Sequence, residues 1–101
     1  MPQLSVTVPH SLSQDEAVSR LNKKLEQIKA ENLYEVRDLV EDRPDTYTLR
    51  FSFKVLGFGV SGECFTKPDD VTINVELPVA AIVIKQMIQT QLTRELTTVL
   101  T

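Results

Sequence analysis

A chain of 101 residues makes one domain and not two, and at this length folding removes roughly 65% of the unfolded surface from water, enough for one core without staples. A net charge of −3 offers no basic stripe to neutralise phosphates, so nucleic acid is excluded as the expected partner and recruitment by anionic lipid head groups is disfavoured. The single cysteine, Cys64, forbids an intrachain disulfide; no apolar run reaches the ~18 residues of a membrane span; and no basic segment precedes an apolar one at the start, so a cytoplasmic protein without a secretory leader is expected.

Leu4, Val6 and Val8 alternate with Ser5 and Thr7, which predicts a short first strand ended by Pro9. A helix is predicted over residues 13–30. Ser13 is its N-cap, Glu16 completes a capping box, and Leu12 is placed to staple onto Ala17. Ala17, Leu21, Leu25 and Ile28 then form one apolar stripe, with Arg20, Lys23, Glu26 and Gln27 on the far side.

Residues 34–40 read as a second strand, and the cluster from Glu41 to Asp45, with Pro44 inside it, reads as a turn. From Tyr47 to Val55 the alternation is strict. Tyr47, Leu49, Phe51, Phe53 and Val55 share one face and Thr48, Arg50, Ser52 and Lys54 the other, the mark of a sheet with one dry and one wet side. Residues 56–59 hold two glycines and reverse the chain. Val60, Gly62 and Cys64 share one side of a fourth strand, and Lys67 to Asp70 is another turn. Val71, Ile73, Val75 and Leu77 alternate with Thr72, Asn74 and Glu76 in a fifth strand.

Pro78 opens a last helix whose residues Ala81, Ile84, Ile88, Leu92, Leu96 and Val99 fall on one core-facing stripe, opposite Gln86, Thr90, Thr93 and Thr97. The order β-α-β-β-β-β-α predicts a two-layer α+β domain spanning residues 1–101. Its antiparallel five-stranded sheet has the first strand beside the fifth, and both helices bury their stripes on the one dry face.

The chemistry-bearing residues are sparse. His10 alone has an ordinary pKa near neutrality, but a histidine in the loop leading into a helix is the simpler reading than a general base. Cys64 faces the core side of its strand and behaves there as a small hydrophobe. Gly57, Gly59 and Gly62 lack the following helix start that a phosphate cradle needs, so turn and bulge roles are expected. Asp45, Asp69 and Asp70 are turn residues without metal-ligand spacing. Glu35, Asp38, Glu41 and Asp42 read as a solvated acidic patch. Arg50, Lys54, Glu63 and Glu76 on the wet face are expected to form cross-strand ion pairs rather than acid–base machinery. No catalytic, cofactor-binding or metal-binding residues are assigned. The departure from a plain pattern is at Val79, Ile82 and Val83, which project away from the core stripe; an exposed apolar patch there marks an interface or contact with an apolar surface, unless a loop covers it.

Several segments together resemble the polyhydroxyalkanoic acid system, or granule-region, protein family. They are residues 9–12 with His10, residues 45–51 at the third strand start, residues 59–62, residues 71–77, and a long terminal helix opening with an apolar run and Lys85. The resemblance covers nearly the whole chain, with a terminal helix richer in Gln and Thr and more residues between the first helix and the third strand. It implies a small cytoplasmic protein associated with polyhydroxyalkanoate storage or its gene neighbourhood, with no established enzymatic activity, and gives His10 weight as a functional position. A non-enzymatic interaction protein follows, binding a granule surface or a granule-bound protein through Val79, Ile82 and Val83, with a homodimer through that patch as a rival partner. The alternative is a carrier of apolar acyl chains, since a sheet wrapped by a long terminal helix resembles the helix-grip proteins in architecture.

Overall fold

Side chains that alternate along five short segments can bury one face only if the segments lie side by side, and they do. The computed structural model describes residues 3–31 and 36–101. The strands β1 (Gln3–Pro9), β2 (Arg37–Asp45), β3 (Thr48–Val55), β4 (Phe58–Thr66) and β5 (Asp70–Glu76) form one antiparallel sheet in the order β1-β5-β4-β3-β2. The helix α1 (Gln14–Glu31) follows β1, and α2 (Lys85–Leu100) ends the chain after a 3-10 helix at Val79–Ile84. The element order and the α+β class are those the sequence predicts, and β1 pairs with β5 from Gln3 opposite Glu76 to Pro9 opposite Asp70.

The core gathers Leu4, Val6 and Val8 of β1, Val71, Ile73 and Val75 of β5, and Val60 and Cys64 of β4, under Ala17, Ala81, Leu96 and Leu100. The helices sit over this side of the sheet: α2 packs on β1, and α1 on α2 and β4. Leu49, Phe51, Phe53 and Val55 of β3 point the same way but are only half-buried, because no helix lies squarely above them. The rings of Phe51 and Phe53 stack with centroids 5.9 Å apart, a geometry that adds to their burial. At the start of α1, Ser13 Oγ accepts the Glu16 N–H at 3.1 Å, as a cap should. The Glu16 carboxylate, expected to return to the cap, instead takes Arg20 one turn on at 3.0 Å.

Among the described residues the structure departs from the sequence reading at several places, each for a physical reason. The predicted start of β2 at Tyr34 lies outside the described residues. The predicted turn from Glu41 to Asp45 is strand, and the chain reverses at Thr46 and Tyr47 instead. Pro44 is tolerated because β2 is an edge strand, where a missing N–H spoils less of the ladder. The register slips there between Asp42 and Asp45, and again between Arg37 and Val40, where Asp38 has φ 53°. The reversal predicted over residues 56–59 needs only Leu56 (φ 52°) and Gly57 (φ 82°), so Phe58 and Gly59 belong to β4. Two successive left-handed residues make a type I′ hairpin, the twist-matched form. Gly62, expected in a turn or bulge, lies mid-strand. A Cβ there would collide with the Asn74 carbonyl oxygen and come within 2.9 Å of the Phe51 ring. Finally, the last helix opens as 3-10 rather than α, since Val79, Ile82, Val83 and Ile84 are all β-branched and no side chain caps the first turn.

Leucine is a poor occupant of a left-handed position, where asparagine is favoured, and Leu56 is 60% exposed. Leu56→Asn is therefore expected to raise stability by about 1 kcal/mol, read as a higher urea midpoint with an unchanged slope.

Candidate functional site

In a 3-10 helix, residues three apart stack in line. Ala81 and Ile84 form the ridge that meets the core, Ala81 being fully buried. The other two ridges, Val79 with Ile82 and Ala80 with Val83, point outward. Val79 is 69% exposed, Ile82 56% and Val83 79%, and Met87 in the first turn of α2 joins them at 45%. No residue from 79 to 84 is charged, and Lys85 closes the run. Val79, Ile82 and Val83, singled out from the sequence, are each exposed. Met87, which the sequence reading passed over, was findable: it lies four positions after Val83, one helical turn along the same face.

His10 is fully engaged elsewhere. A backbone N–H can only donate, so the Leu12 N–H at 3.1 Å makes Nδ1 the acceptor and leaves the hydrogen on Nε2, which donates to the Lys67 carbonyl at 2.9 Å. The His10 N–H also donates to the Asp69 carbonyl at 2.9 Å. Around it, Gln14 donates to the Thr66 carbonyl at 2.9 Å and the Tyr47 hydroxyl to Asp15 at 2.7 Å. The Asp15 bond, with some loss of water around the phenol, holds the Tyr47 hydroxyl above its ordinary pKa. This network ties the first turn of α1 to two sheet turns. It brings no nucleophile to His10.

Cys64 is buried, and loss of water pushes its thiol from 9.0 up to about 11, offset in part by the Arg43 guanidinium. A thiol held neutral is no nucleophile. The wet face carries the expected ladder: Arg50 reaches Glu63 at 3.6 Å, Lys54 reaches Asp38 at 3.7 Å, Ser5 meets Asn74 at 2.8 Å and Thr7 meets Thr72 at 3.0 Å. An open concavity of about 670 Å³ lies on this face, lined by Gln3, Arg50, Glu63, Asn74 and Glu76 among others. Of its charged groups Arg50 and Glu63 pair with each other and Glu76 accepts from Gln3 at 3.5 Å, as solvated cross-strand neighbours do. Glu41 differs from the rest of the acidic set: opposite Phe51 on the dry face, it meets Lys29 of α1 at 3.3 Å. The Glu26 and Glu41 carboxylates together raise the Lys29 pKa. Among the described residues, no group of three or more His, Cys, Asp and Glu comes together as metal ligands, and no helix is long and apolar enough to cross a membrane.

A family model described as "Putative polyhydroxyalkanoic acid system protein" matches residues 4–100. The chain belongs to that family. The match runs through every strand and both helices, the exposed patch included. Among solved structures the chain is similar to TTHA0849 from Thermus thermophilus, at 15% identity over 98% of this chain and 94% of that one, with a TM-score of 0.48. No curated protein matches. The family name ties the chain to the polyhydroxyalkanoic acid system.

Removing the His10 ring deletes two hydrogen bonds that pin a loop. His10→Ala is expected to cost about 1–2 kcal/mol, seen as a lower melting temperature with partner binding unchanged. For Cys64 the folded chain keeps a proton that the unfolded chain sheds above pH 9.0, so stability falls as pH rises from 9.0 towards 11. That alkaline slope is expected to flatten in Cys64→Ala, measured by denaturation at a series of pH values.

Proposed function

We propose that this protein is a non-enzymatic interaction protein of the polyhydroxyalkanoic acid system, which binds the polyester granule surface through Val79, Ile82, Val83 and Met87. The observation that carries the reading is the exposure of those side chains on one uncharged 3-10 turn. An aliphatic polyester offers a large apolar surface with few hydrogen-bond donors, and it rewards burial of branched side chains more than any directional contact. Burying these side chains is worth on the order of 5 kcal/mol before the costs of association. One patch therefore gives weak, reversible attachment. The role is non-enzymatic on this reading because His10 and Cys64 both serve packing and loop closure.

A second reading has its own support. Leu49, Phe51 and Phe53 of β3 are half-buried where no helix lies squarely above them, and an acyl chain laid along them would complete the core.

Co-sedimentation with purified polyhydroxyalkanoate granules separates the two. The wild-type chain is expected to pellet with granules, and the double variant Val79→Ser with Val83→Ser to stay in the supernatant with an unchanged circular dichroism spectrum. Equal pelleting of the two proteins overturns the patch. A wild-type chain that ignores granules but takes up a fluorescent fatty acid favours the acyl carrier.

A further inference from the structure

The two edges of the sheet are unequally protected. The β2 edge is broken by two register slips, carries Pro44, and holds Arg37, Asp38, Glu41, Asp42, Arg43 and Asp45. These are the devices by which natural sheets stop further strands from adding. The β1 edge lacks the slips and the charges, and its one proline, Pro9, is the last residue of the strand. From Gln3 to Pro9 it is regular throughout its pairing with β5 and holds no charged residue.

The direction of its free groups can be worked out. His10 N–H bonds to the Asp69 carbonyl, so in an antiparallel ladder Val8, Val6 and Leu4 also turn their backbone groups toward β5. Gln3, Ser5, Thr7 and Pro9 then turn theirs outward. Pro9, which has no N–H, sits at an outward position where none is needed by β5. Among the described residues the outward N–H groups of Ser5 and Thr7 have no partner.

A second feature lies directly above this edge. Glu95 of α2 pairs with Lys24 of α1 at 2.8 Å and so marks the side of α2 that faces α1. At 100° per residue, Gln86, Thr90, Thr93 and Thr97 fall opposite it, away from α1 and over the β1 side. These four residues are uncharged, and Arg94, one turn after Thr90, stands at the outer margin of the flank. The Thr93 and Thr97 hydroxyls are turned back onto the Gln89 and Thr93 carbonyls at 2.9 and 2.7 Å, which leaves methyl groups outward.

We infer that two copies of this chain join through their β1 edges in antiparallel register about a two-fold axis at Val6, making one continuous sheet. The occupant is a second copy because the edge is complementary to itself. With Val6 opposite Val6 of the other copy, Ser5 lies opposite Thr7 and exchanges both hydrogen bonds with it; at each end of the paired stretch Gln3 N–H meets the Pro9 carbonyl, and the return bond to the Gln3 carbonyl is lost because Pro9 has no N–H. Directly opposed residues share a face, so the dry faces run on into one another and both helical layers lie on the same side. There the threonine-bearing flanks of the two α2 helices come alongside. This pairing rests on strand geometry and not on the granule reading. Its consequence for that reading is that two weak patches act on one surface, where the second engagement is intramolecular.

Sedimentation velocity of the full chain across a wide concentration range tests the pairing. The wild type is expected at twice 11.4 kDa, and the variant Ser5→Lys with Thr7→Lys, which changes only exposed wet-face side chains, at the single mass. Val40→Lys on the opposite edge is expected to leave the dimer intact. Amide exchange on the wild type gives a readout that needs no variant: Ser5 and Thr7 N–H groups, bonded to nothing within a protomer, are expected to be protected at high concentration and to exchange freely on dilution. A wild type that stays at the single mass, a dimer that survives the lysine pair, or one that dissolves instead in Val79→Ser with Val83→Ser overturns the inference. Granule co-sedimentation is scored separately, so a monomer that still pellets with granules sinks the pairing and spares the patch.

Discussion

The pairing of β1 with β5 is the contact on which the rest of the molecule leans. It joins the first strand to the last across more than sixty residues, Gln3 meeting Glu76 and Pro9 meeting Asp70. Closing so long a loop costs conformational entropy, though the cost grows only slowly with length. Burial of Leu4, Val6 and Val8 beside Val71, Ile73 and Val75 offsets it. The same pairing puts β1 and β2 at opposite edges, so the segment between them must travel the width of the sheet, about 19 Å for five strands. A helix of 18 residues, about 27 Å long, spans that distance on a diagonal. His10, Gln14 and Tyr47 fasten its first turn to the sheet turns beneath it.

From this closure comes a gradient across the dry face. Over β1, β5 and β4 the helices exclude water and the core is complete; over β3 and β2 the apolar side chains are half-covered. The gradient separates the stable part of the fold from the parts free to meet something else. Both apolar features outside the closed core, the 3-10 turn and the rim of β3, lie where packing within the chain runs out. Such surfaces suit the interaction role proposed above, and His10 and Cys64 are each committed to structure.

Much of the fold was legible in the residues. Strict alternation from Leu49 to Val55 and from Val71 to Val75 set the dry face, and Ser13 marked the start of α1. The outward projection of Val79, Ile82 and Val83 was readable as well, because their positions off the stripe survive whether the turn is α or 3-10. The region of β2 was not. Glu41 to Asp45 has the composition of a turn, and only the position of that segment at a sheet edge lets Pro44 sit in a strand. Gly62 was equally opaque. Its reason is a backbone approach to Asn74 and a ring from Phe51, both distant in sequence.

Hydrophobic period and cap chemistry are local properties, carried by neighbours along the chain, and for this protein they determined by themselves the order of the five strands and two α-helices, the identity of the dry face and the location of the uncharged apolar run. What only the tertiary structure decided depends on which segments end up beside one another. It set which strands are edges and so where proline and bulges are tolerated. It set how far two helices can cover five strands, and therefore which apolar residues stay half-wet. It also engaged both nitrogens of His10 with backbone groups, one of them fifty-seven residues away, which turned a residue of catalytic type into a fastening.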